Sequence, residues 1–234
     1  HRTGQDHFSY DTTGLPKEQV QHFSGYYILG LAALDRPNEW WFDSKTKTVY
    51  YMPPAKADPN SMELRGRVRD FGIELDRCSE IEIRGLGFHA SGFWLKECND
   101  VSLRDCTFDY PATHRFLHGQ FQYVAAWNPS SNGNTMPSFF GGKRNSFVNN
   151  TVRWCNAPVY LGSEEMVIEN CLFSDIEWDV NSNGGSGAVM IGKDSVFRRN
   201  TITRCGNSEG VRAVGEGTTL EHNRLSDMSN LQHD

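Results

Sequence analysis

Apolar residues recur along this chain in pairs with a fixed spacing. Six segments share one pattern: an apolar residue, two variable positions, a turn residue, one variable position, then a second apolar residue. They run Ile83 to Phe88, Leu103 to Phe108, Phe147 to Val152, Val167 to Leu172, Phe197 to Ile202 and Leu220 to Leu225. The turn position holds Leu86, Cys106, Asn150, Asn170, Asn200 and Asn223. Five residues before each first apolar lies a further column: Cys78, Cys98, Gly142, Gly162, Gly192 and Gly215. Successive copies are 20, 44, 20, 30 and 23 residues apart. A repeat of that size with variable insertions predicts a stack of similar β-coils. The apolar columns fill the coil interior, and Val, Ile and Phe suit strands. Strands of adjacent coils lie about 4.8 Å apart. Asn carries both a donor and an acceptor, so four stacked amides would form a ladder across a buried turn. Cys78 and Cys98 stack in one column, either as a disulfide or as side-by-side thiols.

These columns resemble the right-handed parallel β-helices of the pectate-lyase-like superfamily, over roughly residues 70–234. The stretch "NEWWFDSKTKTVYYMPP", 38–54, reads as strand, polar turn, strand. It is similar to the hairpin that precedes the first full coil in many secreted bacterial carbohydrate-active β-helix proteins. The expected fold is therefore all-β, a right-handed parallel β-helix with an N-terminal capping and hairpin segment. Its handedness is implied by the resemblance and by the crossover rule. Residues 1–62 form the expected cap and hairpin, and 63–234 the solenoid. The chain starts at His1, and its last coil stops at "SNLQHD" without a capping sequence. The start suggests a processed, truncated or partly represented chain, and the end either further coils downstream, the favoured expectation, or packing against another chain.

Composition narrows the function classes. A net charge of −6 without a basic stripe argues against nucleic acid as partner. No apolar run reaches the length of a membrane span. Six cysteines lack any C-x-x-C pair, so zinc-type spacing is absent. The resemblance implies a secreted, periplasmic or cell-surface location.

Counted from the repeat, the long insertions all leave at one corner, after the second apolar residue: 109–137, 174–188, 204–210 and 226–234. A groove there is the expected binding site. Its side chains suit a polysaccharide or oligosaccharide. His114, His118, Trp127, Glu177, Trp178, Arg212 and His233 are the candidate contacts, and Asp175, Asp179, Asp227 and Asp234 the candidate catalytic carboxylates. Asp175 falls in a column with Cys155, Cys205 and Met228. If that column faces inward, burial raises its pKa, as a general acid requires. Asp179-V-Asn181-S-Asn183-Gly184 matches the first half of a calcium loop. Met190 stands where an EF-hand needs its bidentate Glu, so the EF-hand reading fails; the expectation is no cofactor, or calcium at an abbreviated site.

Three functions fit this reading. Glycoside hydrolysis needs two carboxyl groups flanking the bond, and is the leading expectation. A polysaccharide lyase needs a base and a cation for the uronate. "VMIGKDSVFRRNTITRCGNSEGVRAVG" faintly resembles the stretch of alginate-lyase-type β-helices that holds a Lys and an Arg one coil apart. Lys193 and Arg212 would be the matching positions. A non-catalytic binding or adhesin-like module is the third, because fold alone does not decide function.

Overall fold

The computed structural model describes residues 30–112, 136–177, 187–206 and 209–228. The chain divides into two compact units at Arg65 and Gly66. In the first, β1 (Trp40–Asp43) pairs antiparallel with β2 (Thr48–Tyr51), Trp40 opposite Tyr51. The Asp43 carboxylate closes the turn by accepting from the Lys45 amide at 2.8 Å. The hairpin expected over 38–54 is thus present.

The second unit is a parallel β-helix of six described coils, each built from three short strands. The first coil is β3 (Phe71–Asp76), β4 (Glu82–Arg84) and β5 (Gly87–His89). The sixth is β18 (Glu209–Ala213), β19 (Thr219–Glu221) and β20 (Arg224–Ser226). Every third strand joins the same sheet, giving three six-stranded parallel sheets. The turn between the second and third strands of each coil is always two residues long. That constancy locks the register of those two sheets.

The apolar columns stack as the repeat predicts, with one slip. Ile83, Leu103, Phe147, Ile168, Phe197 and Leu220 pair in file along the second sheet. Phe88, Phe108, Val152, Phe173, Ile202 and Leu225 do so along the third. The fourth coil therefore uses Ile168 and Phe173, not Val167 and Leu172. Both Ile168 and Phe173 are fully buried. Phe147, Phe173 and Phe197 stack at 6.1 and 6.2 Å between centroids, so rings continue the core from coil to coil.

The slip corrects the ladder by one rung. Cys171, not Asn170, takes the turn position of the fourth coil. Asn150 Oδ1 accepts from the Cys106 amide at 2.8 Å, and its Nδ2 donates to Leu103 O at 2.8 Å. Cys171 accepts from the Asn150 amide through Sγ, while its own amide donates to Asn200 Oδ1 at 2.9 Å. The Asn200 amide donates in turn to Asn223 Oδ1. Burial pushes the Cys171 thiol up to about 12, so it serves this file as a neutral group. Asn170 lies one residue outside, exposed, and bonds Asn149 on the surface. Counting back from the second sheet, Ser163 likewise stands in the place expected for Gly162. Cys78 and Cys98 do share a column, and both are thiols.

Candidate functional site

The coil geometry decides where irregular chain can leave. Connections from the first to the second sheet are four or five residues, and those from the second to the third are two. Among the described coils, only the corner from the third sheet back to the first carries insertions. It carries the gaps Asp109 to Ser138, Ile176 to Gly187 and Cys205 to Glu209. The common corner expected from the repeat is therefore the corner found.

One column marks it in the third sheet: Ala90, Tyr110 and Asp227 directly follow their strands, and Trp154, Asp175 and Arg204 hold the same position as the last residue but one of theirs. All six have φ between 54° and 57°. This left-handed conformation kinks the chain at the strand's end, although none of the six is Gly, and in three coils pairing resumes for one residue at Cys155, Ile176 and Cys205. Tyr110 and Trp154 stack at 4.9 Å with 19° between their planes. The Arg153 guanidinium lies 4.7 Å from the Trp154 ring centre. Both side chains stay exposed, Tyr110 at 47% and Trp154 at 41%.

Ion pairs occupy the rest of the corner. Arg153 Nε and Nη2 donate to Asp109 Oδ1 and Oδ2, each at 2.9 Å. Arg204 Nε and Nη2 donate to the two oxygens of Asp175 at 2.8 and 2.7 Å, and Nη2 also donates to Ser174 Oγ at 2.6 Å. Asp227 follows Arg204 in the column and accepts from Thr203 Oγ1 at 3.2 Å.

This overturns the expectation for Asp175. It does not lie in the column of Cys155 and Cys205; Ile176 does. Phe173 points inward, Ser174 outward, and Asp175 occupies the corner. Its bonds to Arg204 hold the carboxyl below its usual value of 3.8, outweighing partial burial. It is an ionised group, not a proton reservoir. The one carboxylate fully buried among the described residues is Glu177, two residues on and 3% exposed.

The outward face of the first sheet borders the same corner. Its central column reads Glu74, Trp94, Ser138, Tyr160, Met190 and Arg212. Phe140 sits beside Tyr160 at 5.9 Å, and Phe71 beside Trp94 at 6.1 Å. Trp94, Phe140, Tyr160 and Arg212 are half-buried, whereas Ser138 and Met190 are closed to solvent. Burial pushes the Tyr160 phenol above its ordinary value. The second-sheet face differs: its outward column reads Arg84, Arg104, Val148, Glu169, Arg198 and Glu221, charged at all but one position. The aromatic strip was missed in the sequence because the recognised columns belong to the second and third sheets. Period-two alternation in "GFWLK" and "VYL" was its only signal.

Of the other candidates, Arg212 lies in the strip with Glu209 at 3.9 Å. Lys193 lies in the corner between the first and second sheets, against Asp194 at 3.5 Å. Met190 is the register partner of Arg212, so Lys193 stands three positions further along, roughly 10 Å away along the strand. His114, His118, Trp127, Trp178, Asp179, Asn181, Asn183, His233 and Asp234 lie outside the described residues, and with them the whole calcium half-loop. Among the described residues no group of three His, Cys, Asp or Glu could hold a metal ion. No described helix is long and apolar enough to cross a membrane.

A family model for the right-handed β-helix region matches residues 138–232, in agreement with the right-handed parallel coil. No curated protein and no solved structure matches the chain.

Proposed function

We propose that this protein acts on a polysaccharide or oligosaccharide outside the cell and hydrolyses its glycosidic bond. One observation carries the reading: an aromatic strip, Trp94, Phe140 and Tyr160, runs beside the corner that bears the insertions of the described coils. Aromatic faces and edges suit the apolar faces of sugar rings, while the corner supplies carboxylates and guanidinium groups for hydroxyls. Asp175, kept ionised by Arg204, fits a base or nucleophile. Glu177, enclosed at the mouth of the insertion, takes the acid role. Asp227 lies two coils beyond Asp175, roughly 10 Å away, with Arg204 between them. Asp179 and Asp234, in the segments that follow in sequence, are the reserve candidates.

The ion pairing of Asp109 and Asp175 favours a second reading, a non-catalytic carbohydrate-binding module. The lyase reading is weaker, because register separates Lys193 from Arg212. Incubating the purified chain with a polysaccharide panel separates all three. Hydrolysis releases reducing ends without the ultraviolet absorbance of an unsaturated sugar. Glu177→Gln and Asp175→Asn then each lower kcat on the order of 100-fold or more. Unsaturated ends make it a lyase, and retention without cleavage makes it a binding module.

A further inference from the structure

We infer that the glycan bound along this strip is uncharged, and that polyuronates are excluded. The inference rests on the carbohydrate reading above and specifies its substrate class. A polyuronate carries a carboxylate on every sugar, so a groove that holds one needs cations repeated along its length. The strip lacks that repetition. Between Lys96 in the second coil and Arg212 in the sixth, the register positions facing outward are Ser138, Phe140, Tyr160 and Met190. Those two cations stand four coils apart, roughly 19 Å along the axis. Among the described residues, each guanidinium flanking the strip already faces a carboxylate: Arg153 on Asp109, Arg204 on Asp175, and Arg212 near Glu209. A uronate would have to compete with that fixed carboxylate in each case. The exposed Glu74 and Asp76 add negative charge at the first coil.

The insertions bring no surplus of positive charge. Residues 113–135 contain one Arg and no Lys, 178–186 contain one Asp and no cation, and 229–234 end on one Asp. An uncharged glycan needs no neutralisation. It gains from ring contacts with Trp94 and Tyr160, and its apolar substituents fit the Phe140 side of the strip.

The test uses the full chain and affinity electrophoresis against matched polymers. Polygalacturonate and alginate represent the polyuronates. Carboxyl-reduced polygalacturonate, xylan, galactan, mannan and β-glucan represent neutral chains. Retention by one or more neutral polymers, unchanged when salt is raised, supports the inference. Trp94→Ala then weakens retention roughly fivefold to tenfold, and Trp94→Phe restores most of it. Thermal unfolding of both variants shows whether the coil is intact. Stronger retention by a polyuronate, fading with salt, overturns the inference and leaves the carbohydrate reading standing. Retention by none of the polymers overturns both.

Discussion

Asp175 shows how one residue's surroundings set its chemistry. Two charge-assisted bonds from Arg204 and one from Ser174 fix its carboxylate. Because the folded pKa lies below 3.8, the bridge contributes fully above that value, and its contribution is lost as pH falls through the folded pKa. Asp175→Asn should therefore lower the melting temperature near neutrality and narrow the gap to wild type below about pH 3.8. Melting curves from pH 7 to about pH 2.5 check this; a constant difference across the range would contradict it. The polarity of this site was legible in the sequence, but its protonation was not. The pairing partner Arg204 stands 29 residues away, and only coil stacking brings it alongside.

At the scale of the strand and turn, the polar file through Asn150, Cys171, Asn200 and Asn223 ties each second-to-third-sheet turn to the next coil. Asn200 is nearly fully buried and serves both the Cys171 amide and the Ile168 carbonyl. Asn200→Ala should destabilise the protein by about 2–4 kcal/mol, since it leaves buried donor and acceptor groups unpaired. Urea unfolding measures this, and a loss under about 0.5 kcal/mol, the range of an ordinary surface change, would contradict the ladder. The ladder was largely legible from the spacing of its asparagines. The fourth rung was not, because "VIENCLF" offers apolar residues at both Val167, Leu172 and Ile168, Phe173. Packing chooses the second pair: its larger members fill the core, and Cys171 suits the buried turn while Asn170 reaches solvent.

Across the whole molecule, a stack of coils separates stability from function. Each coil contacts its neighbours, so the repeat supplies the core. Two of the three corners are nearly invariant, and variation collects at the third. The sequence exposed that division through the positions of its insertions. It did not expose the aromatic strip, because first-sheet residues at alternate positions show no inward or outward preference until the register is known. Ser138 and Met190 lie in the outward column yet are shielded from solvent, which no periodicity would report. The six tryptophans sample the molecule well: Trp94 in the strip, Trp154 at the corner, Trp127 and Trp178 in the insertions, and Trp40 and Trp41 in the hairpin. Labelling their indole nitrogens and titrating with an oligosaccharide of the best-retained neutral polymer tests the location of the site. The Trp94 indole resonance should move on saturation while those of Trp40 and Trp41 stay in place. A still Trp94 with shifts confined to the hairpin would contradict the assignment of function to this strip and corner.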